Sequence, residues 1–320
     1  MCSSNDRQRG VALISVLLIV AILMAVTSRL LATHNLVINQ HQNTFEQNQA
    51  LHYVLGAETL ARQALYEDFT QSGPGLDHQG ELWAQPVMPF ELDEGGFLEA
   101  QLRDLHGCMN LNAVIGAGSA AHLERLQRLS RNLGIDQNIA ESWKDWIDAD
   151  MEVTGFGAED NEYLLAQPPF RTPNRPVTGL SELFLLQGAD REQLALLLPH
   201  VCLLPRGDSR VNINTADAQT LAALDAELSL AITEPIAAEE RRYDSVEGFL
   251  ETHAEFASAS DVLSVTSEHF LLHAQAQVGS SSVSLESLLY RDPDNGRVTV
   301  IKRDFGKLFR TKLSATVEEP

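Results

Sequence analysis

Basic residues are scarce in this chain: 23 lysines and arginines stand against 44 aspartates and glutamates, a formal net charge of −21 over 320 residues. A surface of that sign repels a phosphate backbone, which argues against nucleic-acid binding. Aromatic residues amount to only 6%, so the exposed basic or aromatic surface that a sugar- or DNA-binding protein would want is not advertised. Cysteine is rare too, with Cys2, Cys108 and Cys202 the complete set. Charge is missing altogether from Val11 to Ser28, and the first charged residue after the polar start MCSSNDRQRG is Arg29.

That uncharged run is the most informative stretch. The apolar segment from Val11 to Leu31, with Arg29 its one charged residue, is long enough to cross a bilayer core, which needs about 20 residues. Arg7 and Arg9 before it favour a cytoplasmic N-terminus, so the rest of the chain is exported. An ordinary secretory signal is cut after its apolar region at a small-residue site, whereas here the obvious junction, Gly10–Val11, lies before it. One reading is an uncleaved signal anchor. The other rests on a resemblance: the arrangement is similar to the type III signal of type IV prepilins and type II secretion pseudopilins. A membrane-embedded prepilin peptidase cleaves these after the glycine and leaves the apolar helix at the new N-terminus. Such proteins usually carry a glutamate at the fifth mature position, and this chain has Ser15 there. A buried carboxylate needs a partner, in this family the neighbouring subunit's free amine. A subunit without it suits the cap of a filament, and the K-type minor pseudopilin is known for this lack.

Past the membrane, Leu51, Val54, Leu55, Ala61, Ala64 and Leu65 recur at helical spacing, which predicts one amphipathic helix running on to Phe69 and stopped by Gly73-Pro74-Gly75. Pro86–Leu92, a turn at Glu94-Gly95-Gly96, and the alternating Phe97–Leu105 read as a hairpin. Near the C-terminus Phe270–Val278, Val283–Tyr290 and Val298–Lys302 read as strands, the last two joined by a turn containing Asn295-Gly296. The expected fold class is α+β, a pilin-like long N-terminal helix packed on an antiparallel sheet with a large inserted helical domain of SAM-like or helix-hairpin-helix-like type. The corresponding division is a leader at 1–10, a transmembrane part at 11–31, the pilin-like helix and first strands at 32–109, the insertion at 110–267, and the last strands and tail at 268–320. Within the insertion, Met109-Asn110-Leu111-Asn112-Ala113 and Val211-Asn212-Ile213-Asn214-Thr215 echo one another. Two related modules, about 110–205 and 206–267, follow from that echo, with Asn112 and Thr215 as helix caps. Helix-hairpin-helix modules that bind DNA use a glycine-rich hairpin; Asp225-Ala226-Glu227-Leu228 supplies two acids and no glycine.

The chemistry is concentrated in WKDWIDADMEVTGFGAEDNEY, where Asp145, Asp148, Asp150, Glu152, Glu159 and Asp160, with Asn161, offer hard oxygen ligands. Such density repels itself unless it is spread into solvent or neutralised. Calcium takes about 6–8 oxygens in flexible geometry, and Asp148-x-Asp150-x-Glu152 with Glu159 eleven residues after Asp148 imitates EF-hand spacing. The imitation is imperfect, because the usual glycine position is Val153, with Gly155 and Gly157 falling later. Glu162 is the weakest candidate, and a solvated acidic loop is the alternative. None of the ten histidines lies inside the cluster, which argues against a metal-dependent hydrolase. Cys2 would leave with the leader, and Cys108 and Cys202 in an exported chain are candidates for a disulfide. Two buried thiols are the alternative. The bridge would close a loop of about 94 residues, on the order of 4–5 kcal/mol in the chain-entropy picture.

The order DWIDAD, GAEDNEY, PPFRTPNRPV, LSELFLLQG, HVCLLP and VNINT resembles the K-type minor pseudopilin of the bacterial type II secretion system over essentially the whole chain. The resemblance implies no enzymatic activity. It implies calcium, as one or two ions, bound by the acidic loop, and processing at Gly10–Val11 with methylation of the new amine. It also implies a single pass through the inner membrane, with the large domain in the periplasm. The implied partners are the I- and J-type minor pseudopilins, the prepilin peptidase and the inner-membrane assembly platform. The implied role is to sit at the pseudopilus tip and start its assembly, for export of folded proteins across the outer membrane. Alternatives are a minor subunit of a type IV pilus or DNA-uptake system, and a membrane-anchored periplasmic calcium-binding protein. In cells that carry the peptidase, Gly10→Ala should leave a slower-migrating precursor on a gel; unchanged processing would exclude the prepilin reading.

Overall fold

The first helix, α1, is Asp6–Ser72, 67 residues or about 100 Å at 1.5 Å per residue. The computed structural model describes residues 6–306 apart from Pro74, Pro86, Asp93, Glu94, Ala117, Pro205 and Arg206, with the side chains of residues 6–11, 72, 87 and 88 also outside the description. The first half of the leader therefore lies outside the described residues. At Gly10–Val11 only the helical backbone is described. From Leu13 to Ile38 the large apolar side chains of α1 are exposed, and this part is long and apolar enough to cross a membrane. Apolar burial begins at Ala50 and continues through Val54, Ala57, Ala61 and Leu65, a stripe at steps of three and four that lies on the sheet. Leu51, Leu55 and Ala64 flank it, half-buried. The helix stops where Gly73 takes a φ of 83°, the left-handed conformation that ends helices.

Five strands make the sheet: β1 (Val87–Glu91), β2 (Gly96–Asp104), β7 (His269–Val278), β8 (Ser281–Arg291) and β9 (Val298–Asp304), in the order β1-β2-β7-β8-β9. All neighbours are antiparallel. On β7 the residues Phe270, Leu272, Ala274, Ala276 and Val278 alternate inward and meet α1, as a period of two requires. The turn between β8 and β9 depends on Gly296, whose φ is 71° and where a Cβ would collide with the ring of Phe69 on α1.

The insertion leaves the sheet at Asp104 and returns at His269, neighbouring positions in the β2–β7 ladder, where Asp104 faces Phe270. It begins with β3 (Met109–Asn110), a 3₁₀ turn, α2 (Ser119–Asn132), α3 (Asn138–Ile147), the short α4 (Asp160–Tyr163), a second 3₁₀ turn, α5 (Arg191–Leu197) and β4 (Val201–Cys202). It continues through β5 (Val211–Asn212), α6 (Ala218–Ala223), α7 (Leu230–Ala238), α8 (Val246–Thr252) and β6 (Leu263–Ser264). The echoed motifs do the same work twice. Asn110 and Asn212 each accept the amide two residues on, at 3.0 Å in both cases. Asn112 then clamps both backbone groups of Val177, and Asn214 those of Tyr243. Each motif also begins a two-residue parallel bridge, β3 with β4 and β5 with β6. Separate apolar clusters sit behind the two segments, one around Trp143 and Leu129, the other around Phe249 and Phe256.

The expected caps are corrected here. Asn112 spends its side chain on Val177, and Thr215 donates to Asp104. Asp217 caps α6 instead, accepting from the Thr220 amide at 2.7 Å, and α2 starts after Gly118 without a side-chain cap.

One carboxylate ties the two ends of the insertion together. Asp104 accepts from the His106 amide (2.7 Å), the Thr215 and Ser267 hydroxyls (2.5 and 2.6 Å) and the Asn212 amide group (3.2 Å). Four donors on a 6% exposed group leave several unsatisfied when it is removed. Asp104→Ala should therefore cost about 3 kcal/mol or more, a fall in melting temperature of about 6–12 °C for a domain of this size. An unchanged thermal melt would show that the seam does not depend on this carboxylate.

Candidate metal centre

The acidic run hangs from the C-terminal end of α3. This helix buries Ile139, Trp143, Trp146 and Ile147, and both indoles are anchored, Trp143 Nε1 to the Leu111 carbonyl and Trp146 Nε1 to Glu182, each at 2.9 Å. Trp146, Tyr163 and Phe170 pack edge-on or tilted against one another with ring centres 5.0–6.0 Å apart, which fixes α4 against α3. The loop between them is folded by carboxylates that the helix supplies. Asp145, fully buried, receives the Thr154 amide on both oxygens at 3.1 Å. Glu141 takes the Phe156 amide at 2.6 Å, and Lys144 Nζ holds the Thr154 hydroxyl at 2.8 Å. A Cβ at Gly155 or Gly157 would collide with Glu141 or Asp145 respectively, so the two glycines admit these carboxylates.

The remaining acids divide cleanly. Asp148, Asp150 and Glu159 each bring a carboxylate oxygen to within 4.8 Å of the others. Asp148 Oδ1 and both oxygens of Glu159 are buried without a well-formed hydrogen bond, and Glu159 as a whole is only 1% exposed. The nearest cation is Lys144, 3.9 Å from Asp148. Burial, reinforced by Asp150, pushes Asp148 up to about 6. Burial with the nearby Asp145 and Asp148 pushes Glu159 up to about 7. Uncompensated buried carboxylates are costly unless neutralised, so these three fit a hard cation that takes oxygen ligands.

The others do different work. Asp145 faces Thr154, although burial raises its pKa too. Glu152 is exposed, because its amide turns onto Asp150 Oδ1 (2.9 Å) and sends the chain outward. That turn is why the EF-hand spacing is not realised in space. Asp160 is occupied by the Thr172 amide and hydroxyl and by Arg171, at 2.9–3.0 Å; against the opposing effect of burial these hold its carboxyl below the usual range. Asn161 is exposed on α4, and Glu162 accepts the Glu159 amide at 3.0 Å. Two contributors were not expected from the sequence. Glu141 lies too far upstream for its role to be read. Asn174 holds a φ of 47° and reaches the Asp150 carbonyl from a strand of chain 24 residues on. Lys144, Asp148, Asp150, Asn174 and Arg175 line a cavity of about 410 Å³ that opens the centre to solvent.

Cys108 and Cys202 are buried thiols here. Both donate to the Leu105 carbonyl, at 3.3 and 3.0 Å, and Asn110 pairs with Cys202 across β3–β4. Burial raises the Cys202 thiol well above its ordinary value.

The family model for type II secretion system protein K matches residues 107–206, the segment that contains this centre. Over 94% of the chain and 93% of the relative, the sequence is 35% identical to the type II secretion system protein K of Pseudomonas aeruginosa. It is 33% identical to that of Pectobacterium carotovorum over 94% of the chain and 98% of the relative. A chain in the crystal structure of the GspK-GspI-GspJ complex from the enterotoxigenic Escherichia coli Type 2 Secretion System matches with a TM-score of 0.73 and 29% identity. That match covers 84% of this chain and 100% of the other.

Without cation, the raised carboxylates make the charged form of the folded protein unfavourable. Their folded pKa values lie above the unfolded ones, so the destabilisation is complete above about pH 7 and is relieved as pH falls through 7 and 6 towards 4. In chelator the melting temperature should therefore rise between pH 8 and pH 5. Added calcium should raise it at pH 8 and flatten the profile. Melting curves indifferent to both chelator and pH would assign the run to solvent.

Proposed function

The chain belongs to the type II secretion system protein K family of minor pseudopilins, and from that premise we propose that it caps the pseudopilus. There it starts assembly together with the I- and J-type minor pseudopilins, for export of folded proteins across the outer membrane. The observation that carries this reading is the likeness, over 84% of this chain, to a chain of the solved GspK-GspI-GspJ complex. Two features of the chain agree with a terminal position. Ser15 replaces the carboxylate that would pair with a neighbour's amine within the apolar helix. The insertion adds two apolar-cored units to one end of the pilin sheet, bulk that a subunit stacked on both sides would have to accommodate.

The exposed apolar half of α1 is a single-pass anchor by length and composition. With Arg7 and Arg9 on the cytoplasmic side, the anchor crosses the inner membrane and the described domain is periplasmic. The prepilin peptidase then cuts at Gly10–Val11, the new amine is methylated, and the inner-membrane assembly platform draws the subunit out. In the acidic centre Asp148, Asp150 and Glu159 would hold calcium, as one or two ions. The ion would supply the positive charge that these buried oxygens lack and fix the loop between α3 and α4. Asp145 and Glu141 shape the loop, and the centre's role is structural, not catalytic. In an oxidising compartment Cys108 and Cys202 would join, closing the first module at the β3–β4 bridge.

Co-expression with the I- and J-type subunits should yield a complex that contains all three. Recovery of this chain alone, with those two associated, would exclude the assembly role. Mass mapping of the periplasmic protein without reductant should join Cys108 to Cys202, whereas two alkylated thiols would exclude the bridge.

A further inference from the structure

A second group of carboxylates lies far from the acidic loop, where α1 ends and the chain crosses towards the sheet. Asp68 comes from the last turns of α1, and Asp77 and Glu81 from the connection to β1. Each brings an oxygen to within 4.8 Å of the other two. Asp77 is fully buried and Glu81 is 9% exposed.

The charge balance at this point is incomplete. Arg291 on β8 meets Asp68 at 3.1 Å and Asp77 at 2.5 Å, and its guanidinium is further held by the Ser267 carbonyl and by the ring of Phe270. Three carboxylates against one guanidinium leave a formal charge of −2 in a buried place. Glu81 Oε2 is satisfied, by the Trp83 indole at 2.6 Å and the His78 amide at 3.1 Å. Glu81 Oε1 is buried and has no hydrogen-bond partner. His78 does not make up the difference. Its Nδ1 accepts the Gly80 amide, its Nε2 stands 3.6 Å from Glu81 Oε1, and burial with the nearby Arg242 lowers its pKa. Burial raises Asp77 to about 6 and Glu81 to about 7, with Asp68 and Asp104 adding to the repulsion. Such a cluster must take up either protons or a divalent cation.

We propose that Asp68, Asp77 and Glu81 form a second site for a hard divalent cation of calcium's class, with Glu81 Oε1, which has no hydrogen-bond partner, as a ligand. The ion would join the end of α1 to the connection that leads into β1, beside the arginine that already ties both to β8. This inference does not depend on the acidic loop.

Trp83 makes the site readable, because its indole touches Glu81 and can sensitise terbium bound there. In the full chain in detergent, with the loop centre disabled by Asp148→Asn and Glu159→Gln, terbium should give tryptophan-sensitised emission. Adding Glu81→Gln should reduce that emission at least tenfold. No emission from the loop-disabled chain, or emission that survives Glu81→Gln, would overturn the proposal and leave the cluster to protons. Should the loop-disabled chain fail to fold, Glu81→Gln alone in the otherwise native chain should lower the calcium stoichiometry measured by calorimetry by one ion per chain. An unchanged stoichiometry would overturn the proposal equally.

Discussion

Everything beyond the pilin core depends on the carboxylate of Asp104. The insertion departs from the end of β2 and must return to the start of β7, the neighbouring strand. A long detour between adjacent ladder positions carries a loop-closure cost that grows only slowly with its length, but its two ends still have to be held. Asp104 does this with donors from both ends, His106 on departure and Ser267 on return, together with Asn212 and Thr215 from the second echoed motif. Behind it Asp77 accepts the Ser267 amide and Arg291. The long helix, the sheet and the insertion therefore meet in one buried polar knot. Buried polar groups of this density rigidify a seam only when each is satisfied.

The same rule accounts for what is unusual elsewhere. Around Asp104 and Asp145 every carboxylate oxygen that the chain buries is given amides or hydroxyls. At Asp148 and Glu159, and again at Glu81, carboxylate oxygens are buried without a well-formed hydrogen bond from the described residues. Oxygens left in this state would be compensated by a proton or, as proposed, by a cation from outside. In the loop, that charge would close the connection between α3 and α4, the segment through which the family is also recognised.

Much of the architecture was legible because it is periodic. The stripe from Ala50 to Leu65 and the alternation of Phe270 to Val278 follow directly from helix and strand geometry, and Gly73 and Gly296 mark their ends by conformations that few other residues adopt. The acidic run was legible by composition alone as a dense group of carboxylates. Its internal division was not, because it depends on partners distant in sequence: Thr172 and Arg171 take Asp160, and Thr154 takes Asp145. The same blindness misassigned Asn112 and Thr215, whose motif suggested caps but whose side chains reach Val177 and Asp104. Nothing in the sequence could have joined Asp68, Asp77 and Glu81, since they meet only when α1 stops and the chain turns back.

These features converge on a subunit built to terminate a filament: an apolar helix with serine in place of the pairing glutamate, and a large insertion tied rigidly to one end of a pilin sheet. The most direct test is to tag the periplasmic domain with a gold label and image isolated pseudopili by electron microscopy. Label at a single end of each filament is the predicted result, and label distributed along the shaft would contradict the account.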